Sequence, residues 1–116
     1  MQPDARARLE RELRALSEEF ATGLPQRLSD IQMAWQAAVT AQWNADTIDT
    51  LYRHGHSLAG AGGTFGFEDV GMAARALSDW LKQVREHPAL LDEEAGARLV
   101  ASIERSVRAV CTPGGG

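Results

Sequence analysis

Apolar residues in this chain recur at intervals of three and four almost from end to end. Only a helix can gather such a period onto one face; a strand needs a period of two. The first stripe runs Leu9, Leu13, Leu16, Phe20, Leu24, Leu28, Ile31, Trp35 and then Ala38 or Val39. Ala and Leu supply 31 residues against 9 for Val and Ile together, which biases the chain the same way. Pro25, just after Gly23, interrupts the stripe by removing one helix hydrogen bond and crowding the preceding turn. Residues 9–39 therefore read as two helices, or as one long helix kinked near Gly23.

The polar interval Asn44-Ala45-Asp46-Thr47 offers N-caps for the next helix, whose stripe is Leu51, Gly55, Leu58, Gly62 and Phe65. Gly66 suits the left-handed residue that ends a helix. Glu68 and Asp69 favour a new N-terminus through the helix dipole, and Val70, Ala73, Leu77, Trp80 or Leu81, and Val84 form the buried face that follows. His87-Pro88 stops that helix. Asp92 caps the last one, which buries Leu99, Val100, Ile103, Val107 and Val110. Short connections make neighbours antiparallel, so the fold expected is an all-α, up-and-down helical bundle.

With 116 residues the chain holds one core, expected over 1–111, followed by a disordered Gly-rich tail at 112–116. Twelve basic against sixteen acidic residues give a net charge of -4, and Lys82 is the single lysine. That balance argues against nucleic acid, which needs clustered cations. One cysteine, Cys111, precludes an internal disulfide and fits a reducing, cytoplasmic setting. The polar start Met1–Arg6 is unlike a signal peptide, and no apolar run approaches the ~20 residues of a membrane helix. A monomer without membrane attachment is expected.

Six glycines fall between positions 55 and 71, four of them inside a helical pattern. Each interior glycine costs a helix about 1 kcal/mol relative to alanine, so their presence needs a reason. On a helical wheel at about 100° per residue with Leu51 at zero, Gly55 and Gly62 fall within ~40° of the core direction. They read as packing glycines where another helix comes close. On the same wheel His56 lies near 140°, Gly60 near 180° and Gly63 near 120°. His56 thus points outward, onto a face stripped to backbone, where something large can reach the imidazole. His54 lies about 60° off the core on the other side and reads as a half-buried, hydrogen-bonded histidine. His87 reads as an exposed loop residue.

Several chemistries are excluded. Gly60-Ala61-Gly62-Gly63-Thr64 lacks the Lys-Ser/Thr pair and the preceding strand of a phosphate loop. His54 and His56 diverge on a helix, so a zinc site of three or four ligands is not in view. No Ser-His-Asp or Cys-His pattern is visible, and no ATP-binding or kinase motif is present. If phosphoryl chemistry occurs, donor and metal must come from a partner.

The run His56-Ser57-Leu58-Ala59-Gly60, followed after five intervening residues by Gly66 with Phe65 before it, resembles the signature of histidine phosphotransfer (HPt) domains. That signature reads His-x-Leu-Lys-Gly, five variable or small residues, then Gly. The resemblance extends over nearly the whole chain in its order of helices. It implies a four-helix bundle with an additional N-terminal helix. It also implies that His56 carries a phosphoryl group between aspartates of response-regulator receiver domains. Under it, Gly60 and Gly63, with Ala59 and Tyr52, form the receiver-docking surface. Ala59 stands where the family usually has lysine, and Lys82, with Ser78 one turn before it, is the candidate replacement near the phosphoryl group. The partners implied are a receiver domain, a histidine kinase, or both. No cofactor is expected in this chain, with Mg²⁺ on the receiver. Two other readings stay open: a degenerate bundle that binds a receiver or kinase without accepting phosphate, and the phosphorylatable N-terminal domain of a chemotaxis-type kinase.

Overall fold

Pro25 does not divide the first stripe. The computed structural model describes residues 3–111, and its first helix, α1, is continuous over Pro3–Thr40 with Pro25 inside it. The additional N-terminal helix is therefore corrected: its residues are the first turns of α1. An interior proline costs a helix about 3 kcal/mol. Burial on both sides of it outweighs that cost, because Phe20, Leu24, Ile31, Ala34 and Ala38 all lie in the core. Pro25 itself sits on the exposed side of the helix.

Three further helices complete the molecule: α2 over Ala45–Thr64, α3 over Glu68–Glu86 and α4 over Glu93–Cys111. A single 3₁₀ turn at Pro88–Leu90 joins α3 to α4. Each helix packs on the next and α4 closes back onto α1, which is the up-and-down bundle expected from the stripes. Its centre is Leu24, Ile31, Leu51, Leu58, Val70, Leu77, Leu81 and Ile103, none more than 1% exposed. At the ambiguous position in α3, Leu81 takes the core place and Trp80 is half-buried. The tail expected to be disordered, 112–116, lies outside the described residues.

The caps follow the sequence. Asn44 accepts a hydrogen bond from the Thr47 amide at 2.9 Å, and Asp92 accepts one from the Ala95 amide at 3.2 Å. Gly66 has φ +84°, the left-handed conformation expected after α2. The α1–α2 connection is less ordinary: Gln42 and Trp43 both have positive φ. Such residues each cost about 1–3 kcal/mol and persist only where their surroundings fix them. Here Trp43 is buried edge-on against Trp35 and Trp80, and its indole N–H donates to Glu93 at 2.7 Å.

Leu9, Leu13 and Leu16 continue the stripe of α1 but are about half exposed, at 55%, 52% and 47%. Thirty-eight residues at about 1.5 Å each span nearly the full long axis of the molecule, which is 57 Å. Leu16 still lines a surface depression with Phe20 and with Phe65 at the end of α2.

Candidate functional site

The glycines of α2 separate into two sets by what a side chain would meet. A Cβ on Gly62 would lie 2.9 Å from both the Cα and the N of Gly71, and 3.2 Å from the Phe67 carbonyl. A Cβ on Gly71 would lie 3.1 Å from the Gly63 amide nitrogen and 3.2 Å from the Ala59 carbonyl. The backbones of α2 and α3 touch here, so Gly62 is a packing glycine as expected, and Gly71 is its partner. Gly55 is buried, yet a Cβ there would make ordinary contacts of 3.6–3.7 Å with Ala74, Leu77 and Ser78. Its packing role is weaker than the wheel suggests. Gly60 and Gly63 are exposed, and a Cβ added to either would meet nothing within 4 Å.

His56 stands on that open face, exposed, four residues before Gly60 and seven before Gly63. Its ring stacks on Tyr52, one turn earlier, with centroids 5.6 Å apart and planes 13° from parallel. The Arg85 guanidinium of α3 lies 4.9 Å from the centroid of the Tyr52 ring. Asp49 pairs with Arg53 on its own helix and lies 3.7 Å from Arg85. On the α1 side, Arg27 reaches Ser57 at 3.4 Å while covering the Phe20 ring. His54 is half-buried on the other side of α2, as expected, but makes no hydrogen bond among the described residues, and His87 is exposed.

The antiparallel register fixes what lies across from His56. Gly62 meets Gly71, Gly55 meets Ser78, and Tyr52 meets Arg85. His56 is thereby level with the turn of α3 that carries Ser78 and Lys82. Lys82 is exposed on that turn. Ser78 is only 4% exposed and its hydroxyl donates to the Arg75 carbonyl at 3.0 Å, so it is occupied within its own helix. Ala59 differs from its expected place on the docking surface: it is 6% exposed and belongs to the core beside Gly71. The physical reason is its angle, about 80° from Leu51 on the wheel, which faces the seam with α3. The open face therefore consists of His56, Gly60 and Gly63, bordered by Tyr52.

The residues missed from sequence were Arg85, Asp49 and Gly71. Arg85 follows Ser78 by seven positions and Lys82 by three, a helical spacing that was available as a signal. Among the described residues no group of three or more His, Cys, Asp or Glu side chains is placed to hold a metal ion. No helix among them is long and apolar enough to cross a membrane.

This arrangement offers one exposed imidazole, in mid-helix, beside backbone that another protein can approach. No curated protein and no solved structure was found to match the chain. A family model does match, that of the Hpt domain, over residues 4–109, and the chain belongs to that family.

Proposed function

We propose that this domain relays a phosphoryl group between His56 and the aspartate of a response-regulator receiver domain. The observation that carries the reading is the exposed His56 ring beside two glycines with open space above them. Phosphoryl transfer asks the protein mainly for positioning and charge stabilisation. The receiver brings the acidic pocket, its Mg²⁺ and the aspartyl phosphate. This domain brings a neutral imidazole nitrogen as the nucleophile. The bare backbone at Gly60 and Gly63 lets the two surfaces close around the transferring group.

Gly60→Gln tests the docking half of the reading. A side chain there meets nothing within 4 Å of its Cβ, so the fold accommodates it. Leaving glycine raises helix propensity by up to ~1 kcal/mol. The expected result is a melting temperature that holds or rises while receiver binding and transfer fall. A Gly60→Gln variant that transfers like the wild type would place the docking surface elsewhere.

Charge is the second requirement. The usual lysine position is occupied by Ala59, in the core, so the nearest lysine by register is Lys82. Lys82→Ala is expected to slow transfer several-fold, because a cation near developing negative oxygens stabilises the transition state. Unchanged single-turnover rates would leave Lys82 an ordinary surface residue. Alanine in place of the usual lysine at position 59 is also what favours the second reading, a bundle that binds a receiver or kinase without accepting phosphate. The two readings separate on whether His56 becomes labelled.

A further inference from the structure

An attacking imidazole needs a fixed ring plane, and histidines at reactive sites usually obtain it from a hydrogen bond to the second ring nitrogen. His56 has no such bond from any described residue. What holds its ring is a face: the phenol ring of Tyr52, 13° from parallel at 5.6 Å. Tyr52 is in turn held from the neighbouring helix, with the Arg85 guanidinium 4.9 Å from its centroid. Asp49 stands 3.7 Å from Arg85 and also pairs with Arg53. The sequence Asp49, Arg85, Tyr52, His56 is thus a run of contacts from α2 to α3 and back.

We infer that Tyr52 and Arg85 are positioning residues for the His56 imidazole, an inference that rests on the phosphotransfer reading above. Tyr52 is half-buried, so its ring is less free than that of an exposed tyrosine, and a ring stacked on it loses rotational freedom. Arg85 adds a cation–π contact that ties Tyr52 to α3. In the transfer step, the lone pair of an unprotonated His56 ring nitrogen attacks the phosphorus of the receiver's aspartyl phosphate. The N–P bond forms as the P–O bond to the aspartyl carboxylate breaks, and the electron pair of that bond stays on the carboxylate. The proton on the other ring nitrogen remains with the ring, which carries the positive charge until solvent takes it. The stack touches none of these atoms. It sets the direction in which the lone pair points.

The test uses the whole chain with Tyr52→Ala, Tyr52→Phe, Arg85→Ala and the Tyr52→Ala/Arg85→Ala double variant. Single-turnover transfer to each variant from a receiver domain charged with acetyl phosphate is followed over a range of receiver concentrations. Tyr52→Ala is expected to lower the maximal rate about tenfold, the scale of lost orientation in a near-attack geometry, with the half-saturating receiver concentration unchanged. Tyr52→Phe retains the ring and the rate. Arg85→Ala has a smaller effect, and the double variant is no slower than Tyr52→Ala, because Arg85 acts through Tyr52. The His56 ring-proton NMR shifts, which report stacking without any reaction, are expected to move in Tyr52→Ala and to hold in Tyr52→Phe. The inference is overturned if Tyr52→Ala keeps the wild-type maximal rate, if only the half-saturating concentration rises, or if Tyr52→Phe is as slow as Tyr52→Ala. Stacking shifts in a wild-type chain that takes no phosphoryl group at His56 would overturn the proposed function, and the inference with it.

Discussion

His56→Gln is expected to abolish phosphoryl acceptance while leaving the melting temperature nearly unchanged, and His54→Gln is expected to do neither. Glutamine keeps polarity and approximate length, but its amide nitrogen has no available lone pair, so no N–P bond can form. The fold should tolerate the change because His56 is exposed, and surface substitutions away from special contacts usually fall within about 0.5 kcal/mol. The variant gives up the stack on half-buried Tyr52 but removes only an exposed ring and leaves the buried core untouched. His54 lies two positions away, which on a helix is about 160° around the axis, and it is half-buried. Phosphorylation assays with circular dichroism as the control for folding check both variants. Persistent labelling of the His56 variant at His54 would mean that the wrong ring has been chosen.

The second large effect is on stability. Gly62→Val is expected to destabilise the domain by about 3 kcal/mol, against a small gain for Gly60→Ala on the same helix. At Gly62 the first added carbon would already lie 2.9 Å from two backbone atoms of Gly71, and backbone cannot rotate away as a side chain can. Valine adds two methyl groups to that clash, so α2 and α3 must separate along the seam that also buries Ala59 and Leu58. For a domain of this size such a loss corresponds to a fall of roughly 10 °C or more in Tm. Thermal melting of the two variants side by side checks the assignment. Equal melting of Gly62→Val and wild type would show that the two helices do not make the close approach described.

The contrast between Gly62 and Gly60 also shows what can be read from residues alone. Their wheel angles, one toward the core and one away, are a local property of a helix, and local periodicity is written in the residues. The same holds for His56 facing outward, for the Asn44 cap and for Gly66. The residues left open whether α1 is one helix or two at Pro25, because the choice depends on Leu24 and Ile31 being buried by other helices. Ala59 was misplaced for a related reason. The family resemblance supplied its position, and a lysine side chain there could reach outward from the seam while an alanine methyl cannot. Tyr52 was found, but as a docking residue. Its stack on His56 and its tie to Arg85 depend on the register between α2 and α3, which no single-helix pattern contains.

The most direct test of the central claim is to incubate the chain with a receiver domain charged by acetyl phosphate and to locate the transferred phosphate. Peptide mapping at neutral to alkaline pH preserves the acid-labile N–P bond. The account predicts a single phosphohistidine at His56, lost on acidification and returned to the receiver's aspartate on adding uncharged receiver. Phosphate on any other residue, or a stable receiver complex with no phosphate on His56, would contradict it.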